Sequence, residues 1–330
     1  MAARQRIRRS VLTLALPVTV STFLQRAEGI VAVFLVGGLG AESIAAVGLG
    51  QLLLFIGTTL LSGLSVSANV LVAQLWGAKR LKDAGEAAVH LVGCSIIASL
   101  LLAMMGLSIN QPAMAALGAH PDVIAQAVPY SNIMFLLIPF TVVIQVLSSI
   151  LQGTGDTKTP MYVLAGVNLL HVLVAYPLIY GAWGAPAWGL QGAAWAVGVA
   201  ESIGAFSLLW RCRTLFQKSA AVRFDLIQST WQIGAPVSGE RVLQQTGVMF
   251  YTKIILLYGT TSYAAHQVGL SIESFSFLPG YGFAIAAATM VGQSIGAGKY
   301  VRAKLENWEA NRLAAVGMAT MGAVFFLFPY

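Results

Sequence analysis

The chain repeats itself at one fixed spacing. Pro17-Val18 returns 219 positions later as Pro236-Val237, and Leu24-Gln25 returns as Leu243-Gln244. Ala45-Ala46 and Gly50 return as Ala264-Ala265 and Gly269. Gly63, Ala68, Val72, Gln74, Gly77-Ala78 and Ala84 return as Gly282, Ala287, Val291, Gln293, Gly296-Ala297 and Ala303. Identical Gly, Pro and Gln at one ungapped spacing mark a duplicated architecture. If the first copy runs to about residue 235, a full second copy needs roughly another 120 residues beyond Tyr330. The second repeat is therefore expected to be cut after its third helix.

The solvent for this fold is lipid. Hydrophobic residues make up 57% of the chain and charged residues 9%, against about 25% charged in a soluble domain. Apolar stretches long enough to cross a bilayer as helices lie near 10–36, 44–75, 85–109, 122–151, 159–181, 189–210, 229–257, 262–295 and 306–330. The fold class expected is an all-α polytopic membrane protein with nine spans. Strand-like alternation is absent. The first span is too long for a cleaved signal peptide.

Charge gives the topology. Of 19 Lys and Arg, Arg4, Arg6, Arg8 and Arg9 precede span one, and Lys79, Arg80 and Lys82 follow span two. Lys158 follows span four, and Arg211, Arg213, Lys218 and Arg223 follow span six. Lys299, Arg302, Lys304 and Arg312 lie around the turn between spans eight and nine. All of these fall on one side. Arg26, Arg241 and Lys253 fall within spans, and the opposite loops carry none. The positive-inside rule puts the N-terminus in the cytoplasm and the chain in the plasma membrane. The net charge of +7 then needs no nucleic-acid partner, since no basic stretch is interleaved with stacking aromatics. Trp183 and Trp188 at one edge, and Trp76, Trp210 and Trp231 at the other, read as interfacial anchors. Cys94 and Cys212 sit at different depths, which argues against a disulfide. No metal-ligand spacing occurs, so no metal or cofactor is expected.

Six spans separate a residue from its copy. An even number preserves orientation, so the copies are parallel repeats related by an axis along the membrane normal. Two lobes are expected, residues 1–225 carrying six helices and residues 226–330 the first three of the second. Such repeats hold substrate and ion sites between them, near the midplane, in secondary transporters. Pro17, Pro139 and Pro236 invite bends, and Pro279-Gly280-Tyr281-Gly282 is expected to break or kink span eight.

Ionisable residues inside spans carry functional hypotheses. Glu240 and Glu273 each lie about eleven residues into a span, roughly 16 Å deep. Gln244 stands one turn beyond Glu240, Tyr251 two turns further, and His266 shares a face with Glu273. The candidate cluster of the second repeat is Glu240, Gln244, Tyr251, His266 and Glu273. Burial favours the protonated carboxyl and a nearby cation favours the ionised one, which is the exchange an antiporter needs. The first repeat offers Glu28, Glu201, and Asn168 with His171 one turn on. Each of these also admits a structural ion pair or core role. Tyr130 and Asn132 are weaker candidates.

LQGTGDTKTPM (Leu151 to Met161) resembles the loop after span four of MATE transporters, the multidrug and toxic compound extrusion family. GLGAESIAAVGLG (Gly38 to Gly50) is similar to the family's first external turn. GFAIAAATMVGQSIGAG (Gly282 to Gly298) is similar to its span-eight signature, with VAQLWGA (Val72 to Ala78) as counterpart, and GLQGAAWA (Gly189 to Ala196) to the start of span six. The resemblance implies two six-helix lobes in a V, a monomer when full length, and export of amphipathic organic cations in exchange for H⁺ or Na⁺. It implies a functional role for Glu240, four residues after Pro236; the expectation for this chain is that Glu240, aided by Glu273 and Gln244, binds the coupling cation and releases it in competition with drug.

The departures are specific. Ala32 stands where some members carry a span-one aspartate, and in span five His171 and Ala175 replace an Asn and an Asp. Glu28, one turn before Ala32, is the candidate substitute. Two rivals remain from the sequence: an exporter of lipid-linked glycan from a related branch, and an inactive truncated membrane protein. An enzyme is not expected, because no nucleophile–base or metal constellation is present.

Overall fold

The computed structural model describes residues 2–216, 224–258 and 260–327. Lys218, Arg223 and the terminal Tyr330 lie outside the described residues. Within them the chain is helical and carries no strand. The long helices are α1 (Ala2–Val36), α2 (Ala41–Gly77), α3 (Leu81–Ala116), α4 (Pro121–Thr154), α5 (Lys158–Tyr180), α6 (Gly189–Phe216), α7 (Phe224–Leu256), α8 (Thr260–Gly296) and α9 (Tyr300–Leu327). Each span expected from the sequence falls on one of them.

The turns follow from their residues. Pro121 opens α4 at its first turn, after an extended His120. Gly155 closes it in the left-handed region at φ 96°, a conformation glycine adopts without steric cost. Asp156 then starts α5. Its Oδ1 accepts from the Thr159 backbone N–H at 3.0 Å, and its Oδ2 from the Thr159 hydroxyl at 2.7 Å. The Gly-Asp-Thr-Lys-Thr motif is thus a helix stop followed by a helix start.

Seven of these helices, within the described residues, are long and apolar enough to cross a membrane by composition; α7 and α8 are not among them. In α7, Gln232, Glu240, Arg241, Gln244 and Gln245 interrupt the apolar run, a pattern tolerated where a helix faces protein or an aqueous cavity. Of the break or kink expected in span eight, the break does not occur. Pro279 stands inside one continuous helix. Its glycines serve packing instead: a Cβ on Gly282 would collide with Thr19 of α1, and one on Gly280 would sit 3.1 Å from Met318 Sδ of α9.

The duplication appears as reciprocal contact. A Cβ on Gly77, at the end of α2, would strike the Gln293 carbonyl, and one on its copy Gly296, at the end of α8, would strike the Gln74 carbonyl. Gln74 and Gln293 are themselves copies. Likewise Gly63 of α2 meets Gly234 and Ser238 of α7, and its copy Gly282 of α8 meets Ala15 and Thr19 of α1. Each pair maps onto the other at the 219-residue spacing, so the α2–α8 contact lies on the pseudo-two-fold axis. Side chains tie the two repeats further. Ser67 donates to the Thr230 carbonyl at 2.9 Å, Asn69 to Thr289 at 3.1 Å, and Gln293 to the Gly153 carbonyl at 2.8 Å. Arg8 of α1 donates to Glu309 of α9 at 2.9 Å. These contacts gather toward the end that carries the basic turns. Beyond Ser238, α7 becomes exposed, with Leu243 at 74%.

Candidate functional site

In the first repeat, α1, α4 and α6 bring two carboxyls together. Glu201 of α6 is buried, and its Oε2 accepts from the Thr141 hydroxyl of α4 at 2.5 Å. Glu28 of α1 lies close enough for its charge to act on both Glu201 and Tyr130. Glu28 Oε1 is buried with no hydrogen-bond partner. Tyr130 of α4 is fully packed, against Gly50 of α2. A larger residue at position 50 would displace that ring, since a Cβ there would already lie 3.0 Å from it.

A buried carboxyl oxygen without a partner, within reach of a second carboxyl's charge, is an unfinished electrostatic arrangement. A proton or a small cation completes it. Ala32, at the position of the absent aspartate, is buried and contributes only an apolar wall. In α5, Asn168 donates to the Leu164 carbonyl at 3.0 Å, one turn back. His171 is buried at 1% exposure, with Nε2 unpartnered. Asn132 accepts from Asn110 at 2.9 Å, and Asn110 also donates to Ser131 at 2.7 Å, a polar tie between α3 and α4.

The second repeat is more open. Glu240 and Gln244 on α7 are exposed, as is Glu273 on α8. Tyr251 and His266 meet edge to face, with ring centroids 5.2 Å apart, linking α7 to α8. His266 Nε2 is buried without a partner. Arg241 donates to the Tyr281 hydroxyl at 3.3 Å and lies 5.7 Å over that ring. Of the five residues grouped by sequence, the structure joins Tyr251 and His266. Sequence reasoning missed Thr141. A hydroxyl inside an apolar helix ordinarily bonds its own backbone, so nothing in the local pattern announces a carboxyl partner on another helix.

A family model described as MatE matches residues 17–177 and 236–330. The chain belongs to the MATE family. This is a family of membrane transporters, and the lipid bilayer and small-molecule cargo come with it. A probable multidrug resistance protein NorM of Thermotoga maritima is 28% identical over 334 residues, covering 98% of this chain and 71% of that protein. One of Burkholderia mallei is 31% identical over 328 residues, covering 96% and 69%. Solved MATE structures share the fold. The Vibrio cholerae MATE transporter VcmN superposes with TM-score 0.92 at 18% identity, over 99% of this chain and 75% of that one. An outward-facing multidrug resistance MATE transporter superposes at 0.88 with 21% identity, over 98% and 72%.

Proposed function

We propose that this MATE protein is a secondary antiporter that exports amphipathic organic cations in exchange for H⁺ or Na⁺. The observation that carries this reading is the Glu28–Glu201 pair with its orphaned Glu28 oxygen. It supplies a buried carboxyl site in the first repeat despite Ala32, His171 and Ala175. In the proposal the coupling ion sits at Glu28 and Glu201, steadied by Thr141, with Asn168 on the neighbouring helix. Glu240 and Glu273 attract the positive end of the drug, and Gln244, Tyr251 and His266 complete that wall. Tyr251 offers a ring face to the cation. The printed names of the NorM relatives, multidrug resistance proteins, support drugs as the cargo class. The basic turns face the cytoplasm in this reading, as does the N-terminus, and no cofactor is required.

Rocking of the repeats about the α2–α8 contact would move the two carboxyl groups between membrane faces. The test is drug efflux from cells expressing the intact protein at matched levels. Glu28→Gln and Glu240→Gln are each expected to lose most of the efflux. Full efflux in both variants would overturn the reading.

A further inference from the structure

We propose that the basic cavity at the end of the molecule that carries the basic turns is a site for a phosphate-type anion, supplied by the headgroup of an anionic phospholipid. The cavity has a volume of about 850 Å³ and lies where α1, α2, α8 and α9 converge. Its charged lining is Arg6, Arg9, Lys79, Lys299, Arg302 and a single acid, Glu306.

That acid is already used. Glu306 is buried; its Oε2 accepts from the Ser294 hydroxyl at 2.6 Å and its Oε1 from Arg302 Nε at 2.7 Å. The lining holds no carboxylate for the other four cations. Cations converging on a shared concavity repel one another, and an oxyanion removes that repulsion while accepting several charge-assisted hydrogen bonds.

The backbone adds a second observation. Lys79 adopts φ 60°, in the left-handed region. Its copy in the second repeat is Gly298, at φ 72°, where the conformation is free of steric cost. The first repeat carries a lysine at a position that disfavours every side chain of its size. The result is a cation at the rim of this cavity.

The lipid source is argued from what adjoins the cavity. A groove of about 590 Å³ along α1 shares Arg6 and Arg9 with it and continues past Leu12 and Leu16. Those two leucines are 38% and 58% exposed. Arginines leading onto exposed leucines match a phosphate leading onto acyl chains. Both repeats line the cavity, so a bound headgroup ties them together at this end. It stabilises this arrangement to the extent that it binds it better than the alternative.

The experiment uses the intact protein in detergent. It follows the thermal midpoint and the lipid retained in native mass spectra. The probes are dioleoylphosphatidylglycerol, dioleoylphosphatidylcholine and inorganic phosphate. Phosphatidylglycerol is expected to raise the midpoint and to stay bound, and phosphatidylcholine to do neither. Arg9→Gln and Lys299→Gln should each weaken retention about fivefold, while Arg213→Gln, a basic residue outside the cavity, should not. Retention on the wild-type protein under rising salt gives the same readout if a variant fails to fold. A shift reproduced by inorganic phosphate alone overturns the lipid as the source. Equal retention of both lipids, or selectivity unchanged in both cavity variants, overturns the site. None of these readouts depends on transport, so they stand or fall separately from the antiport reading.

Discussion

Thr141 of α4 and Glu201 of α6 are joined by one 2.5 Å hydrogen bond. Thr141→Val removes the donor, leaves a buried carboxyl oxygen without it, and should cost roughly 1–3 kcal/mol in thermal unfolding. Glu201→Gln can keep an acceptor for Thr141 and removes the ionisable group. Its stability should hold at the wild-type level while exchange falls. A fall in stability without loss of exchange would show that Glu201 is structural. The acids themselves were legible in the sequence, because an ionisable residue in an apolar span stands out. Their pairing was not, since it is made by α1, α4 and α6 meeting in space. Likewise the even helical spacing of Glu240 and Gln244 said which face they share and nothing about exposure.

At the scale of the helix, glycine decides how closely α2 and α8 approach. Gly77 and Gly296 are copies that face each other's neighbours across the axis. Gly77→Ala and Gly296→Ala should each cost roughly 1–3 kcal/mol by forcing the pair apart, and by similar amounts, because the contact is reciprocal. Thermal midpoints of the two variants check this, and a large effect at one site with none at the other would contradict the symmetry. The α1–α9 tie is asymmetric. Glu309 is buried at 1% side-chain exposure, whereas Arg8 is 42% exposed. Arg8→Ala should therefore destabilise the protein more than Glu309→Gln, since the first removes the hydrogen-bonded cation of a buried carboxylate and leaves it Arg4 at 3.9 Å, whereas the second leaves a cation that water can reach. The repeat was visible in the sequence through these glycines. The continuity of α8 through Pro279 was not, because a proline in an apolar run is compatible with either a bent helix or a break.

Across the whole molecule, the duplication at 219 residues and the reciprocal contacts of α2 and α8 relate the two repeats to each other. Such a molecule can exchange one cation for another if each repeat holds its own carboxyl site and both reach the same space. The measurement that tests this most directly is exchange in proteoliposomes holding the intact protein. An H⁺ or Na⁺ gradient is imposed, and movement of tetraphenylphosphonium is followed. The account predicts that one of these gradients drives the organic cation in the opposite direction, and that Glu28→Gln with Glu201→Gln abolishes the dependence. Movement indifferent to both gradients, or unchanged in the double variant, would contradict it.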